Sequence, residues 1–337
     1  MKVLFIGDSL SVQYVSAFYN EAKKRDSLEA ELFDYGKLRD NSFLSRVELH
    51  YKNGLRIYDL NRRVVKQCKE NRYDLVFIYY STLLYGQTIK RIKALGCKVF
   101  MYCNDNPFSK QYKLYIWRHL KKQIPYYDIV YAYRKSNIED YKKYGANKVE
   151  LLCSYYMSER NYYIPDTEIE LDVPDVVYIG HKENDGREGY IKALLDANIS
   201  IGLNHAWESF GYRNELTKVF SKNVATLQYN EILNKAKIAI VFLSTLNGDT
   251  YTRRCFEIPA VKTMMIAPYT EELAEMYKEG EEIVFYRNKE DFVDKIKYYL
   301  VNDDEREAIA LGGYNRLIQS KNAVGDRINQ IVEDYYG

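Results

Sequence analysis

Arg160–Gly180 reads RNYYIPDTEIELDVPDVVYIG, and this stretch decides the fold. Its first part, Arg160–Pro174, carries two prolines, several acids and no helical period, so it reads as a linker. Its end, Asp175–Gly180 (DVVYIG), reads as a buried strand that opens a second domain. Upstream, short apolar runs alternate with helix-length segments. The strand candidates there are Val3–Gly7, Glu29–Asp34, Leu75–Tyr80, Lys98–Cys103, Ile129–Tyr133 and Val149–Cys153. Helices are expected at Leu60–Asn71 and at Thr88–Leu95, the latter closed by Gly96. Downstream the rhythm restarts. Strands are expected at Ile199–Leu203, Ile238–Leu243, Met264–Ala267 and Glu282–Tyr286, and helices at Arg187–Ala197, Lys289–Val301, Asp304–Gln319 and Val324–Tyr336. Continuous runs of Val, Ile, Phe and Tyr are the mark of strands covered on both faces, so the fold class is α/β. Two doubly wound, Rossmann-like domains facing across a cleft are expected. They span residues 1–160 and 175–320, joined by a linker at 161–174, with a C-terminal helix at 321–337 crossing back to the first domain.

Composition narrows the function. The 337 residues are 47% hydrophobic and 28% charged, which excludes a disordered chain. No apolar run reaches the roughly 20 residues that span a bilayer, and the opening MKVLFIGD reads as a strand instead of a leader, so a cytoplasmic protein is expected. Five scattered cysteines without a C-x-x-C pair read as reduced, buried thiols. The net charge of +2 hides an asymmetry. Residues 1–165 hold 29 Lys+Arg against 17 Asp+Glu, and residues 166–337 hold 20 against 30. A basic first half suggests an anionic partner. Nothing in the pattern calls for nucleic acid.

Several familiar motifs fail. Gly7-Asp8-Ser9-Leu10 spells the GDSL signature of an esterase nucleophile, but none of the four histidines (His50, His119, His181, His205) has an aspartate three residues before it. That string reads better as a strand-to-helix turn of small residues whose free N–H groups could face an anionic ligand, and it joins Asn104-Asp105 on the acceptor side of the expected site. G-x-G-x-x-G and the P-loop are absent, which argues against dehydrogenases and nucleoside triphosphatases. No Asp-x-Asp occurs, so no metal and no other cofactor is expected.

The strongest signal is Leu246–Pro268, LNGDTYTRRCFEIPAVKTMMIAP. Asp249 and Glu257 flank Thr250, Tyr251, Thr252, Arg253 and Arg254. Guanidinium forks and loop N–H groups bind phosphate oxygens, while a carboxylate can accept from two vicinal hydroxyls. That combination suits a nucleotide-diphosphate sugar.

Here the chain resembles the CgeB-like branch of the group 1 glycosyltransferases, which have the GT-B fold. The family's R-x-F-E followed by I-P-A is matched by Arg254-Cys255-Phe256-Glu257-Ile258-Pro259-Ala260. The run from Glu271 to Arg316 and Arg327-Ile328-Asn329-Gln330-Ile331 look like its continuation. Tyr178-Ile179-Gly180-His181, Arg187 and Trp207 look like its opening. In the first half, Asn104-Asp105-Asn106-Pro107 and Tyr133–Leu152 are similar too. The resemblance implies a retaining glycosyltransferase with a UDP- or GDP-sugar as donor and a glycan or lipid-linked acceptor. It implies that Glu257 holds the ribose, Asp249 meets the transferred sugar, and Arg254, with Arg187, neutralises the diphosphate. Gly180 and His181 join the donor side. Two departures stand out: Asp249 replaces a glutamate, and Lys262 stands where the family has a glycine. No catalytic base is indicated. A sugar-nucleotide epimerase on the same fold, or a non-catalytic sugar-nucleotide-binding or spore-surface protein, stays open as an alternative.

Ser109–Ile124 (SKQYKLYIWRHLKKQI) reads as a basic, aromatic amphipathic helix, either packed on the sheet or docked on the inner face of an anionic membrane.

Overall fold

The computed structural model describes residues 1–10, 14–36, 42–80, 82–209 and 215–337. Among these the chain forms two units, Met1–Ser154 with Val324–Gly337, and Tyr155–Ala323.

The first unit holds strands β1 (Lys2–Gly7), β2 (Glu29–Asp34), β3 (Leu75–Tyr79), β4 (Lys98–Cys103), β5 (Ile129–Ala132) and β6 (Val149–Leu151). They form one sheet in the order β2-β1-β3-β4-β5-β6, every pair parallel. β3 is buried along its whole length, as its run of five apolar residues requires. Rings on one face, among them Phe5, Phe18 and Phe77, interlock, with Phe18 and Phe77 stacked at 5.2 Å. Gly7 closes β1 because a Cβ there would meet Val15 at 2.6 Å, so only glycine lets the helix Val15–Lys23 approach this closely. The helix Val324–Tyr336 belongs to this unit. Arg327 donates to the carbonyls of Cys153 and Ser154, Tyr131 Oη donates to Asp334 at 2.7 Å, and Arg25 donates to Asn329 at 2.6 Å.

The second unit holds β7 (Val176–Tyr178), β8 (Ile201–Leu203), β9 (Thr217–Val219), β10 (Ile238–Ile240), β11 (Met264–Pro268) and β12 (Val284–Tyr286). They form a second parallel sheet, ordered β12-β11-β10-β7-β8-β9. The order reverses beside the first strand in both sheets, at β1/β3 and at β7/β10. Such a reversal opens a crevice at the carboxyl ends of the strands, where ligands collect.

The structure corrects the reading of residues 109–124. Only Arg118–Gln123 is α-helical, and the residues before it are turns. Tertiary contacts override the helical period: Tyr112 packs edge-on against the buried Trp117 at 5.4 Å, and Lys121 Nζ lies over the rings of Phe108 and Tyr144. The amphipathic docking helix is therefore absent. No helix among the described residues is long and apolar enough to cross a membrane. The sequence reading also missed β9, whose TKV has no apolar run, and the helix Phe43–Tyr51.

Candidate active site

In the second unit the site is built where β7 and β10 end. Arg187 opens the helix Arg187–Asp196 and is only 3% exposed. Its Nε donates to Asp185 Oδ1 at 2.7 Å and Nη2 donates to Asp185 Oδ2, a bidentate pair. Nη1 donates to Tyr178 Oη at 2.7 Å and to the His181 carbonyl at 2.8 Å. Glu183 adds an ion pair at 3.4 Å and receives Ser244 Oγ at 2.8 Å. Arg187, expected on the donor side, thus meets protein groups here. Its donors are taken by protein groups, and it works as a buried tie that shapes the loop after β7.

Arg254 differs. It opens the helix Arg254–Ala260, and its Nε donates to the Ile179 carbonyl at 2.9 Å. Its guanidinium sits 5.8 Å from the Tyr178 ring centre and makes no ion pair among the described residues. Burial disfavours its charge, but Tyr178, Tyr229 and Glu257 outweigh that and hold it protonated. It is a cation with donors to offer. Glu257 lies one turn further along the same helix and is 6% exposed. Tyr229 Oη donates to Glu257 Oε2 at 2.9 Å. Burial, then the Glu257 charge, pushes the Tyr229 phenol well above its usual range, so it stays a donor. One carboxylate oxygen is thus fixed in orientation.

The segment between the strand and this helix divides in two. Asp249 is half-buried, its N–H donating to the Ser244 carbonyl at 2.9 Å after Gly248 at φ 61°. Thr250 Oγ1 donates to the buried Glu272, and the Thr250 carbonyl accepts from Thr270 Oγ1 at 2.7 Å. Tyr251 is fully buried, its ring 5.8 Å edge-on to Phe256. The side chains of Thr250 and Tyr251, expected on the donor side, therefore meet protein groups here. Thr252 and Arg253 are half-buried, and the Arg253 guanidinium sits 5.1 Å over the Tyr155 ring.

Gly180 is buried, and its carbonyl accepts from Trp207 Nε1 at 3.0 Å. Partial burial and then the Arg254 charge lower the proton affinity of His181, so its imidazole favours the neutral form. Asp185, Tyr229 and Glu272 escaped the sequence reading, and Tyr178 entered it only as part of the resemblance. Only Asp185-x-Arg187 left a local trace, as an acid two residues from a base.

In the first unit a cavity of about 790 Å³ opens at the β1/β3 reversal, lined by Asp8, Asn104, Asp105, Tyr79 and Tyr80 among others. Ser9 does not face it as a nucleophile. Its Oγ donates to Asp34 Oδ2 at 2.5 Å, and Asp34 Oδ1 accepts from the N–H groups of Ser9 at 3.1 Å and Gly36 at 2.8 Å. Ser9 and Gly7, expected on the acceptor side, are held in the scaffold at the end of β1. Asp8, Asn104 and Asp105 remain on the cavity wall.

This pair of six-stranded, all-parallel sheets is the two-domain GT-B fold. Anabaena HepE, solved in complex with UDP and glucose, superposes with a TM-score of 0.71 over 99% of both chains at 14% identity. Sucrose-phosphate synthase from Thermosynechococcus elongatus gives 0.75 over 100% of this chain and 98% of that one, at 12% identity. A Listeria monocytogenes protein described as a UDP-N-acetylglucosamine 2-epimerase gives 0.60 at 12% identity, over 98% and 94%. No curated protein matches the sequence. Residues 187–333 match the family described as glycosyl transferase-like.

Proposed function

We propose that the protein moves a sugar from a UDP-sugar to a carbohydrate acceptor, with retention at the anomeric carbon and without a metal. The observation that carries this is the pair on the helix Arg254–Ala260: a guanidinium with no ion pair among the described residues, one turn from a buried carboxylate already oriented by Tyr229. In this reading Glu257 accepts from both ribose hydroxyls. Arg254 stabilises the diphosphate as negative charge builds on it. Asp249 accepts from the transferred sugar, and His181, neutral, donates to it or to the leaving group. The bond from the anomeric carbon to the phosphate oxygen breaks. The acceptor oxygen bonds on the same face, and its proton passes to the departing phosphate, so no separate base is needed. The second unit takes the donor and the first presents the acceptor. The complexes of HepE with UDP and with UDP-glucose support the choice of uridine. An epimerase is the weaker reading, since its neighbour superposes less well than HepE and sucrose-phosphate synthase.

The test contrasts two variants by calorimetry and turnover. A hydrogen bond to a charged group is worth about 1.5–3 kcal/mol, so Glu257→Gln is expected to weaken UDP binding by about ten- to a hundredfold. Asp249→Asn is expected to bind UDP as the parent does and to lose turnover of the UDP-sugar. Turnover is expected to persist in EDTA. Parent-like behaviour of both variants would overturn the site, and loss in EDTA restored by manganese would overturn the metal-free leaving group.

A further inference from the structure

The cavity in the first unit carries two signs of charge on two different supports. Its floor is made by strand ends: Asp8 after β1, the Tyr79–Tyr80 end of β3, and Asn104-Asp105 after β4. Its wall is the helix Phe43–Tyr51. Arg46, Leu49 and His50 line the cavity from that helix, and their i, i+3, i+4 spacing puts them on one face. Lys52 follows at the left-handed end of the helix, φ 53°.

The floor is held rigidly. Tyr80 sits at φ 62°, a left-handed conformation that strains a bulky residue and persists only where its surroundings impose it. Three contacts impose it here. Tyr35 Oη donates to the Tyr80 carbonyl at 2.8 Å, the Trp117 ring packs edge-on at 5.2 Å, and Tyr80 Oη donates to Asp105 Oδ2 at 2.7 Å. Burial, then the Asp105 charge, keeps the Tyr80 phenol protonated. Asp105 is therefore fixed in orientation. Tyr79 Oη donates to Asn104 Oδ1 at 3.3 Å, and the Tyr79 ring lies 5.6 Å from that of Tyr14, which also lines the cavity.

Carboxylates and an amide accept from sugar hydroxyls, and tyrosine rings pack on the apolar face of a pyranose. The wall asks for something else. Arg46 is exposed and makes no ion pair among the described residues, and His50, whose Nε2 pairs with Tyr115 Oη at 2.8 Å, stands one turn along the same face. A neutral sugar would leave that cation without a counter-charge. A nucleoside diphosphate would bring more negative charge than Arg46 and Lys52 answer, close to Asp8 and Asp105. We infer that the acceptor held here is an acidic saccharide, a sugar bearing one phosphate or carboxylate. Its hydroxyls meet Asp8, Asn104 and Asp105, and its acidic group meets Arg46 and His50. The inference rests on the glycosyltransferase reading for the word acceptor, but the binding it states does not depend on turnover.

The experiment is calorimetry on the full chain with UDP present, using glucose, glucuronate and glucose 6-phosphate as probes. At least one acidic sugar is expected to bind about tenfold or more tightly than glucose, with affinity falling as salt rises. The two acidic probes separate carboxylate from phosphate. Arg46→Gln is expected to remove most of that preference while leaving glucose and UDP binding as in the parent. Asp105→Asn is expected to weaken every sugar that binds. UDP binding in each variant reports the fold and the donor site separately. Equal binding of all three sugars, binding of none, or a preference that survives Arg46→Gln overturns the inference even if UDP binds normally. Loss of UDP binding in the parent would instead overturn the donor reading.

Discussion

The two units tie the same place in the same kind of sheet with opposite charges. After β1 the tie is an anion: Asp34 gathers the Ser9 N–H, the Ser9 hydroxyl and the Gly36 N–H. After β7 the tie is a cation: Arg187 gathers Asp185, the Tyr178 oxygen and the His181 carbonyl, while Arg254 takes the Ile179 carbonyl. A tie consumes groups of one polarity and leaves the other polarity to face the ligand. The Asp34 tie uses up donors, and the neighbouring cavity floor presents acceptors, Asp8 and Asp105. The Arg187 tie uses up acceptors, and its neighbourhood keeps a donor, Arg254. The first arrangement suits hydroxyls and the second suits phosphate.

The largest expected effect comes from cutting the cationic tie. Arg187→Met leaves Asp185, whose side chain is 4% exposed, as an uncompensated buried charge. Removing one partner of such a pair costs about 3–5 kcal/mol. Denaturant titration is expected to show that loss. Hydrogen exchange is expected to show lost protection around β7 and β10, with that around β1 and β3 unchanged. Protection lost equally in both sheets would break the comparison.

Cutting the anionic tie should cost less, because its groups are only partly buried. Asp34→Ala leaves three donors short of an acceptor, and about 2 kcal/mol is expected by the same titration. Hydrogen exchange should now report around β1 and β2. UDP affinity is expected to stay within twofold of the parent, because donor binding is assigned to the second unit.

The smallest effect sharpens a further contrast. Each unit holds bulky residues at positive φ, among them Tyr80 in the first and Lys262 in the second. Lys262, at φ 59°, sits where the glycosyltransferase resemblance calls for glycine. Its ammonium lies 4.7 Å from the Tyr163 ring centre and 4.9 Å from that of Tyr314. Lys262→Gly relieves about 1–2 kcal/mol of left-handed strain but forfeits two cation–π contacts of about 0.5–1 kcal/mol each. The expected net change is within about 0.5 kcal/mol. Lys262→Ala keeps the strain and loses the contacts, so its melting temperature should fall below that of both the parent and the glycine variant. An alanine variant as stable as the parent would show that the rings do not hold this turn.

What the sequence could reveal followed from how local each signal is. The strands of the first sheet were legible because runs such as LVFIY (Leu75–Tyr79) are continuous and buried on both faces. β9 was not, since TKV gains its place only by pairing with β8. Residues 109–117 misled because their helical spacing is real, yet Trp117 is claimed by Tyr80, distant in sequence, and Tyr112 packs on Trp117. In the site, Arg254 and Glu257 were legible because one short helix presents both. Tyr229, which orients Glu257, lies 28 residues away and carries no motif. Nothing in Arg187 as a letter separates a phosphate ligand from a buried tie. That difference lies in Asp185, Tyr178 and the His181 carbonyl, which the fold brings together.

The arginine in the last helix has a consequence for the order of events during synthesis. Arg327 donates to the carbonyls of Cys153 and Ser154, where the chain leaves the first unit, and Gln330 Nε2 donates to the Leu151 carbonyl at 2.9 Å beside it. A ribosome therefore delivers every residue of the second unit, Tyr155–Ala323, before the groups that close the first. While the second unit emerges, the β6 end of the first sheet waits without its cover, and its carbonyls have only water to accept from. The half made first is finished last, so nascent chains halted just short of Arg327 should show the second unit protected from protease and the end of the first still open to it.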